Sequence, residues 1–179
     1  KKAEKLGLLS YAITPDKDYF QLITDKTNVV RPGKMSDEAI LYDKQKVIDE
    51  LGFEPKYMVD YLALIGDSSD DIPGVAGIGP KGAVPLIQKY GTIENIYKHI
   101  DEIDKAGIKK KLEASRENAF LSKDLATIYC EVPIDFDFEH ARFTEPDFDR
   151  VKEILFELEF KAIYAKLIKF YETNSSGEI

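Results

Sequence analysis

"GDSSDDIPGVAGIGPKGA", residues 66–83, places Asp67, Asp70 and Asp71 directly before a glycine-rich loop that ends in Lys81. Carboxylates suit a cation, while backbone amides beside a lysine suit an anion, so the stretch asks for a ligand that wants both. Upstream, a helix starting at Pro55 carries Met58, Val59, Leu62 and Ile65 at helical spacing and is predicted to stop near Gly66. Downstream, GAVPLIQKYG (82–91) reads as a short helix ended by Gly91, with Pro85 in its first turns, and Thr92 caps another helix in TIENIYKHI. Two motif readings of the loop fail. Gly77, Gly79 and Gly82 match G-x-G-x-x-G, but a dinucleotide site needs a strand immediately before it; a P-loop needs Lys and Ser or Thr where Pro80 and Lys81 follow Gly79. What both mechanisms share survives: glycines expose backbone N–H groups beside a helix N-terminus, and those groups bind phosphate. The other open reading is a helix-to-helix turn whose glycines supply left-handed φ values.

Outward from this stretch, KKAEKLG looks like the last turns of a helix closed by Gly7, and LLSYAIT (8–14) reads as a buried strand. Pro15 stops that strand and Asp16 can cap a short helix, while TNVVRP (27–32) is a second candidate strand. DKQKVIDELG (43–52) is helical, a long helix is predicted over 108–127, and EVPIDFDF alternates like an exposed strand or extended segment. PDFDRVKEILFELEF (146–160) is an amphipathic helix with Ile154, Leu155, Leu158 and Phe160 toward the core, and the pattern resumes in KAIYAKLIKFYE. The closing TNSSGEI has linker chemistry. The fold class that follows is an α/β remnant, with a short and mostly parallel sheet, joined to a predominantly α-helical region.

The 179 residues are 44% hydrophobic and 32% charged, enough for one domain with a real core. With no apolar run of membrane-spanning length, no signal pattern and a lone Cys130, the expected compartment is the cytoplasm, without a membrane partner. A net charge of −8 argues at first against a nucleic-acid partner, but the charge is uneven. Residues 131–159 carry ten Asp or Glu against three Lys or Arg, whereas 105–116 carry five bases against one acid. The run Lys109, Lys110, Lys111 is either a solvated face or a secondary phosphate contact. Two acidic clusters stand out, Asp16 with Asp18 after a strand and Asp67 with Asp70 after a helix. Hard divalent cations combine one or two carboxylates with waters and a substrate phosphate, which such clusters can serve. On spacing alone, a cap at Asp16 and a polar turn at Asp67–Asp71 are the favoured reading of the same residues.

TPDKDYFQL, YLALIGDSSDDIPGVAGIGPKGA and FELEF, in this order and at these separations, closely resemble the 5′ nuclease domain of bacterial DNA polymerase I, within the flap endonuclease superfamily. The resemblance covers nearly the whole chain to about residue 170. It implies a metal-dependent nuclease acting on duplex or flap DNA in replication and repair, in the bacterial nucleoid. By motif, Asp16 and Asp18 match the carboxylates of the family's G-D-K-D segment, and Asp67 and Asp70 those of G-D-x-S-D-N-I-P-G, ligands for Mg²⁺ or Mn²⁺. The segment about 66–91 resembles a helix-two-turn-helix motif, implying phosphate contacts from Gly74, Gly77, Ile78, Gly79, Lys81 and Gly82, with K⁺ as an accompanying ion and Lys109 and Lys110 as secondary contacts. Departures are Pro15 for Gly, Asp71 for Asn and Gly82 for Thr.

The resemblance divides the chain into 1–42, the end of an α/β metal-binding core, 43–172, the helical region, and 173–179, a linker-like tail. It also implies that the first half of the family's domain precedes this chain and a polymerase follows it. The two-metal site is then incomplete, the chain alone binds duplex with little or no nuclease activity, and an open sheet edge favours dimerisation. Two other readings stay open: a non-enzymatic DNA-binding module of helix-hairpin-helix type, and a structural helical domain that docks a protein on its acidic 131–159 face.

Overall fold

The structure, a computed structural model, describes residues 1–33 and 38–174. A short helix α1 (Lys2–Lys5) turns through Gly7 toward β1 (Ser10–Ile13), which ends before Pro15. A 3₁₀ turn over Lys17–Leu22 leads on to β2 (Thr27–Arg31) and β3 (Ile40–Tyr42). The sheet order is β1-β2-β3, with β1 parallel to β2 and β2 antiparallel to β3. Register aligns Ala12, Val29 and Tyr42 in one row, and that row meets the core: Val29 is wholly buried and the Phe20 ring lies 4.5 Å from Tyr42. The alternate row aligns Ile13, Val30 and Leu41 on the opposite face. There Ile13 is 76% and Tyr11 54% exposed, so the strand predicted as buried is half-buried on one face and exposed on the other. Its apolar content reads as a two-sided burial, but Tyr11, Ile13 and Leu41 stay exposed on the outer face, where Val30 is half-buried.

Helix α2 (Lys44–Leu51) begins where the Asp43 carboxylate accepts from Lys46 N–H at 2.7 Å and ends at Gly52 (φ +83°). A 3₁₀ turn from Pro55 to Tyr57 feeds α3 (Met58–Ile65), which buries six of its eight residues. Then come α4 (Pro80–Tyr90), α5 (Ile93–Lys98), α6 (Ala106–Ala114) and α7 (Arg116–Ala126). Against α3, α7 buries Ala119, Ser122 and Ala126, spaced three and four apart. These small side chains let the two backbones approach closely along one helix face. Pro80 opens α4, where a missing N–H costs nothing. Pro85 sits on the exposed side, so the Lys81 carbonyl that loses its helical donor faces water.

The single helix predicted over 108–127 is two, broken at the buried Ser115 (φ −118°, ψ 24°). At the break the Leu112 carbonyl, which Arg116 N–H would use in a continuous helix, accepts from the Tyr97 hydroxyl at 2.9 Å and from Ser115 N–H at 3.2 Å. Burial pushes the Tyr97 phenol up to about 12.

The chain divides into two compact units, Lys1–Val132 and Pro133–Ile179. In the second, an extended exposed segment precedes α8 (Phe148–Glu157), capped by Asp147, and α9 (Lys161–Asn174). Phe148 meets Tyr171 and Phe156 meets Tyr164 edge to face, at 4.9 and 5.6 Å. Ile154, Leu158 and Phe160, predicted to face a core, are 41%, 54% and 48% exposed, and Leu155 is half-buried. Within this unit α8 and α9 pair with each other, and no third helix accompanies them among its described residues. The predicted linker lies outside the described residues from 175 onward. No helix among the described residues is long and apolar enough to cross a membrane.

Candidate functional site

The turn after α3 is built on two glycines that cross. Gly66 (φ +73°) and Gly74 (φ +62°) both lie in the left-handed region, and a Cβ on Gly74 would fall 2.7 Å from the Ile65 carbonyl carbon. A Cβ on Gly66 would meet the Ile72 carbonyl oxygen at 2.5 Å. Between them Asp67 and Ile72 form a two-way bridge, with N–H to O distances of 2.9 and 2.8 Å. Asp71 turns the chain with φ +56°, a conformation Asp and Asn tolerate better than other side chains. Beyond the crossing, Gly74 N–H donates to the buried Ser122 Oγ at 2.9 Å and Val75 N–H to the Leu64 carbonyl at 2.8 Å. The loop is therefore clamped to both α3 and α7.

That clamping divides the six loop positions expected to face phosphate. Gly74 and Ile78 are buried, and the Ile78 amide is spent on the Val75 carbonyl at 2.9 Å, so both support the loop from within. The Gly82 amide is likewise spent, on the Gly79 carbonyl at 2.9 Å. Gly77, Gly79 and Lys81 are exposed, and their amides have no hydrogen-bond partner among the described residues. Of the basic run, Lys109 is held by Asp101 at 2.6 Å and Lys110 is exposed on the surface of α6. Lys111 reaches the loop instead: its Nζ donates to the Gly77 carbonyl at 2.8 Å.

The acidic residues lie just after β1 and at the start of this loop, near enough for the charges of Asp16, Asp67 and Asp70 to act on Asp18. Asp16 caps the 3₁₀ turn, its Oδ1 accepting from Asp18 N–H at 2.9 Å. Asp18 Oδ1 is buried without a hydrogen-bond partner among the described residues. Burial pushes the Asp18 carboxyl above its ordinary value, and the neighbouring charges of Asp16, Asp67 and Asp70 act in the same direction. Asp67 is 8% exposed; its Oδ1 accepts from the amide and hydroxyl of Ser69, and its Oδ2 pairs with Lys17 Nζ at 2.9 Å. The Lys17 ammonium, followed by the Ser69 donors, pulls the Asp67 carboxyl down to about 2.

Among the described residues no three His, Cys, Asp or Glu side chains converge as a group that could hold a metal ion. The four carboxylates share an electrostatic field but do not form a closed cage. Their chemistry, all hard oxygen, and the unpartnered buried Oδ1 of Asp18 nevertheless fit a hard divalent cation that keeps waters in its shell.

The depressed Asp67 carboxyl has a consequence for stability. A carboxylate whose pKa is lowered by folding stabilises the fold above its unfolded value, and that contribution is lost as pH falls through the folded value. The stability advantage of the native chain over Asp67→Asn should therefore be full above about pH 5, on the order of 2 kcal/mol, and decline between about pH 4 and pH 2. Urea denaturation across that range reads it; a difference that stays flat would show that Asp67 titrates normally.

Lys17 and Ser122 are the contributors to this region that sequence reasoning passed over. Lys17 lies between two acids whose spacing drew the attention, and Ser122 looks like any polar residue in a helix. Ser69, two residues after Asp67, carries a local sign, since Asp commonly bonds the amide two positions on.

Residues 53–149 match the family described as "5'-3' exonuclease, C-terminal SAM fold". Among curated relatives, DNA polymerase I of Caldicellulosiruptor bescii is 43% identical over 164 residues, 90% of this chain and 19% of that protein. The 5'-3' exonuclease of Aquifex aeolicus is 34% identical over 180 residues, 99% of this chain and 60% of that protein. The chain thus spans about a fifth of the polymerase relative and three fifths of the exonuclease. Among solved structures, the zinc-bound 5'-exonuclease of bacteriophage T5 superposes with a TM-score of 0.57 at 24% identity, covering 69% of this chain and 46% of that one. The T5 flap endonuclease in complex with DNA and metal ions gives 0.59 at 23%, covering 69% and 44%. At these identities the T5 likeness is one of fold.

Proposed function

The chain belongs to the 5'-3' exonuclease family, and from that premise we propose that it forms part of a divalent-metal-dependent 5′ nuclease that binds duplex DNA and hydrolyses phosphodiesters at 5′ ends or flaps during replication and repair. The observation that carries this reading is the buried, unpartnered Asp18 Oδ1 beside Asp67, at the start of a loop whose outer amides are free. Asp16, Asp18, Asp67 and Asp70 are the residues that would hold Mg²⁺ or Mn²⁺. Such ions, when bound, polarise the scissile phosphate and lower the pKa of an attacking water.

The chain's own contribution is positioning. The amides of Gly77, Gly79 and Lys81, with the Lys81 ammonium, would take backbone phosphates away from the scissile one. Contacts of this kind fix register on the duplex without reading its sequence, as suits an enzyme that recognises a 5′ end by shape. Buried Gly74 and Ile78 hold the loop in place for them, and Gly82 closes the first turn of α4 behind it. Since no three carboxylates converge among the described residues, this chain by itself should bind DNA and cut it slowly. That same observation supports a second reading, a DNA-binding module without catalysis, which metal titration separates from the first.

In calorimetric titration, Asp18→Ala and Asp70→Ala should each weaken Mn²⁺ binding about tenfold or more while leaving metal-free duplex affinity within about twofold. Unchanged Mn²⁺ affinity in both variants would remove the metal reading and leave the binding module. Duplex affinity of the native chain should fall steeply with salt, log K losing about 0.9 per unit log salt for each phosphate neutralised. No salt dependence would remove the DNA reading as well.

A further inference from the structure

The geometry points to Lys17 as the residue that sets how tightly the carboxylate cluster takes a divalent cation, because it already holds Asp67 as a built-in counter-cation. The inference rests on the metal reading above. Both Ser69 donors, amide and hydroxyl, bind the same oxygen of Asp67, Oδ1. Oδ2 is therefore the oxygen left for a ligand, and Lys17 Nζ sits on it at 2.9 Å. The Asp67 side chain is 6% exposed, so its charge cannot simply be paired by solvent ions, whereas the Lys17 side chain is 46% exposed. A lysine ammonium on a flexible stem can leave a partner without disturbing the backbone that carries it.

Lys17 also stands between Asp16 and Asp18 in the chain, and its positive charge opposes the mutual repulsion that Asp16, Asp67 and Asp70 exert on Asp18. The cluster thus meets an incoming cation already partly neutralised. For Asp67 to contribute a ligand oxygen, Lys17 has to swing out. The ion must therefore supply the free energy of breaking this pair, and the repulsion between its two charges and the nearby ammonium adds to that cost.

The test is Mn²⁺ titration of the DNA-free chain, by calorimetry, on Lys17→Met and Lys17→Gln. Methionine keeps the length of the stem and removes the charge; glutamine keeps a hydrogen-bond donor for Asp67 without the charge. Both should bind Mn²⁺ about tenfold more tightly than the native chain. Lys17→Arg, which keeps a cation on Asp67, should stay within about threefold of native, and Lys17→Met combined with Asp67→Asn should lose the gain. Equal or weaker Mn²⁺ binding by both neutral variants, with the native chain binding measurably, overturns the role of Lys17 and leaves the metal reading standing. Absence of Mn²⁺ binding in the native and neutral chains alike overturns the metal reading and this inference together.

Discussion

Gly74→Ala should cost at least about 4 kcal/mol of folding stability, and in a domain of this size that is a large part of the total. A residue with a side chain at φ +62° already loses on the order of 1–2 kcal/mol. The larger effect comes from where the methyl would land, 2.7 Å from the Ile65 carbonyl carbon and closer still to the Gly66 nitrogen. Both are backbone atoms, so no side-chain rotation relieves the clash. Moving the loop instead would break the Gly74 N–H bond to Ser122, leaving that fully buried hydroxyl unpartnered, and strain the Val75 bond to Leu64. Gly7→Ala is the internal comparison: it has a similar φ of +75° but open space around its Cβ, and should cost only about 1 kcal/mol. Urea midpoints read both. If Gly74→Ala falls within about 1 kcal/mol of Gly7→Ala, the crossing of the two glycines relaxes more cheaply than its geometry implies.

The second large effect is expected at Lys123. Asp60 on α3 is 4% exposed, and its Oδ1 accepts from Ile93 N–H at 3.0 Å and from Lys123 Nζ at 2.7 Å, while the same ammonium pairs with Glu94 at 2.8 Å. One lysine of α7 thus joins α3 to the first turn of α5. Lys123→Met removes the counter-charge and leaves Asp60 buried with a single neutral donor, which should cost about 3 kcal/mol. Adding Asp60→Asn to Lys123→Met removes the stranded charge and should recover about half of that loss. Failure to recover anything would mean that the lysine stem packs against α3 and α5 and that the charge matters little.

The helices flanking the glycine loop were legible because local residues punctuate them. Pro55 opens a helical segment, Gly91 ends one and Thr92 caps the next, while α4 starts at Pro80, two residues before the predicted 82. What escaped was set by partners far along the chain. At the break by Ser115 the Leu112 carbonyl accepts from Tyr97, and the buried Gly74 amide is bonded to Ser122, 48 residues away. The exposure of Tyr11 and Ile13 could not be inferred from alternation, because apolar residues on both faces look the same whether or not a neighbour covers them. At the candidate site, motif spacing brought out the four aspartates and the loop glycines. It did not separate Gly77 and Gly79, which face outward, from Gly74 and Ile78, which hold the loop from inside. Nor did it show that one lysine of the 109–111 run reaches Gly77 while another is tied to Asp101. The direction of each backbone amide, and the reach of each lysine side chain, make these distinctions, and residue type does not show them.

The outer row of the sheet gives this chain two opposing colloidal tendencies. A net charge of −8 keeps molecules apart, and that repulsion shrinks as salt shortens the Debye length. Tyr11, Ile13 and Leu41 act the other way, since apolar surface in water attracts its like with a driving force that is entropic near room temperature and weakens on cooling. Low salt and cold therefore favour separate molecules, and warmth with high salt favours contact through three short strands. The exposed apolar side chains on this face of the smallest layer thus act against the repulsion that the net charge supplies.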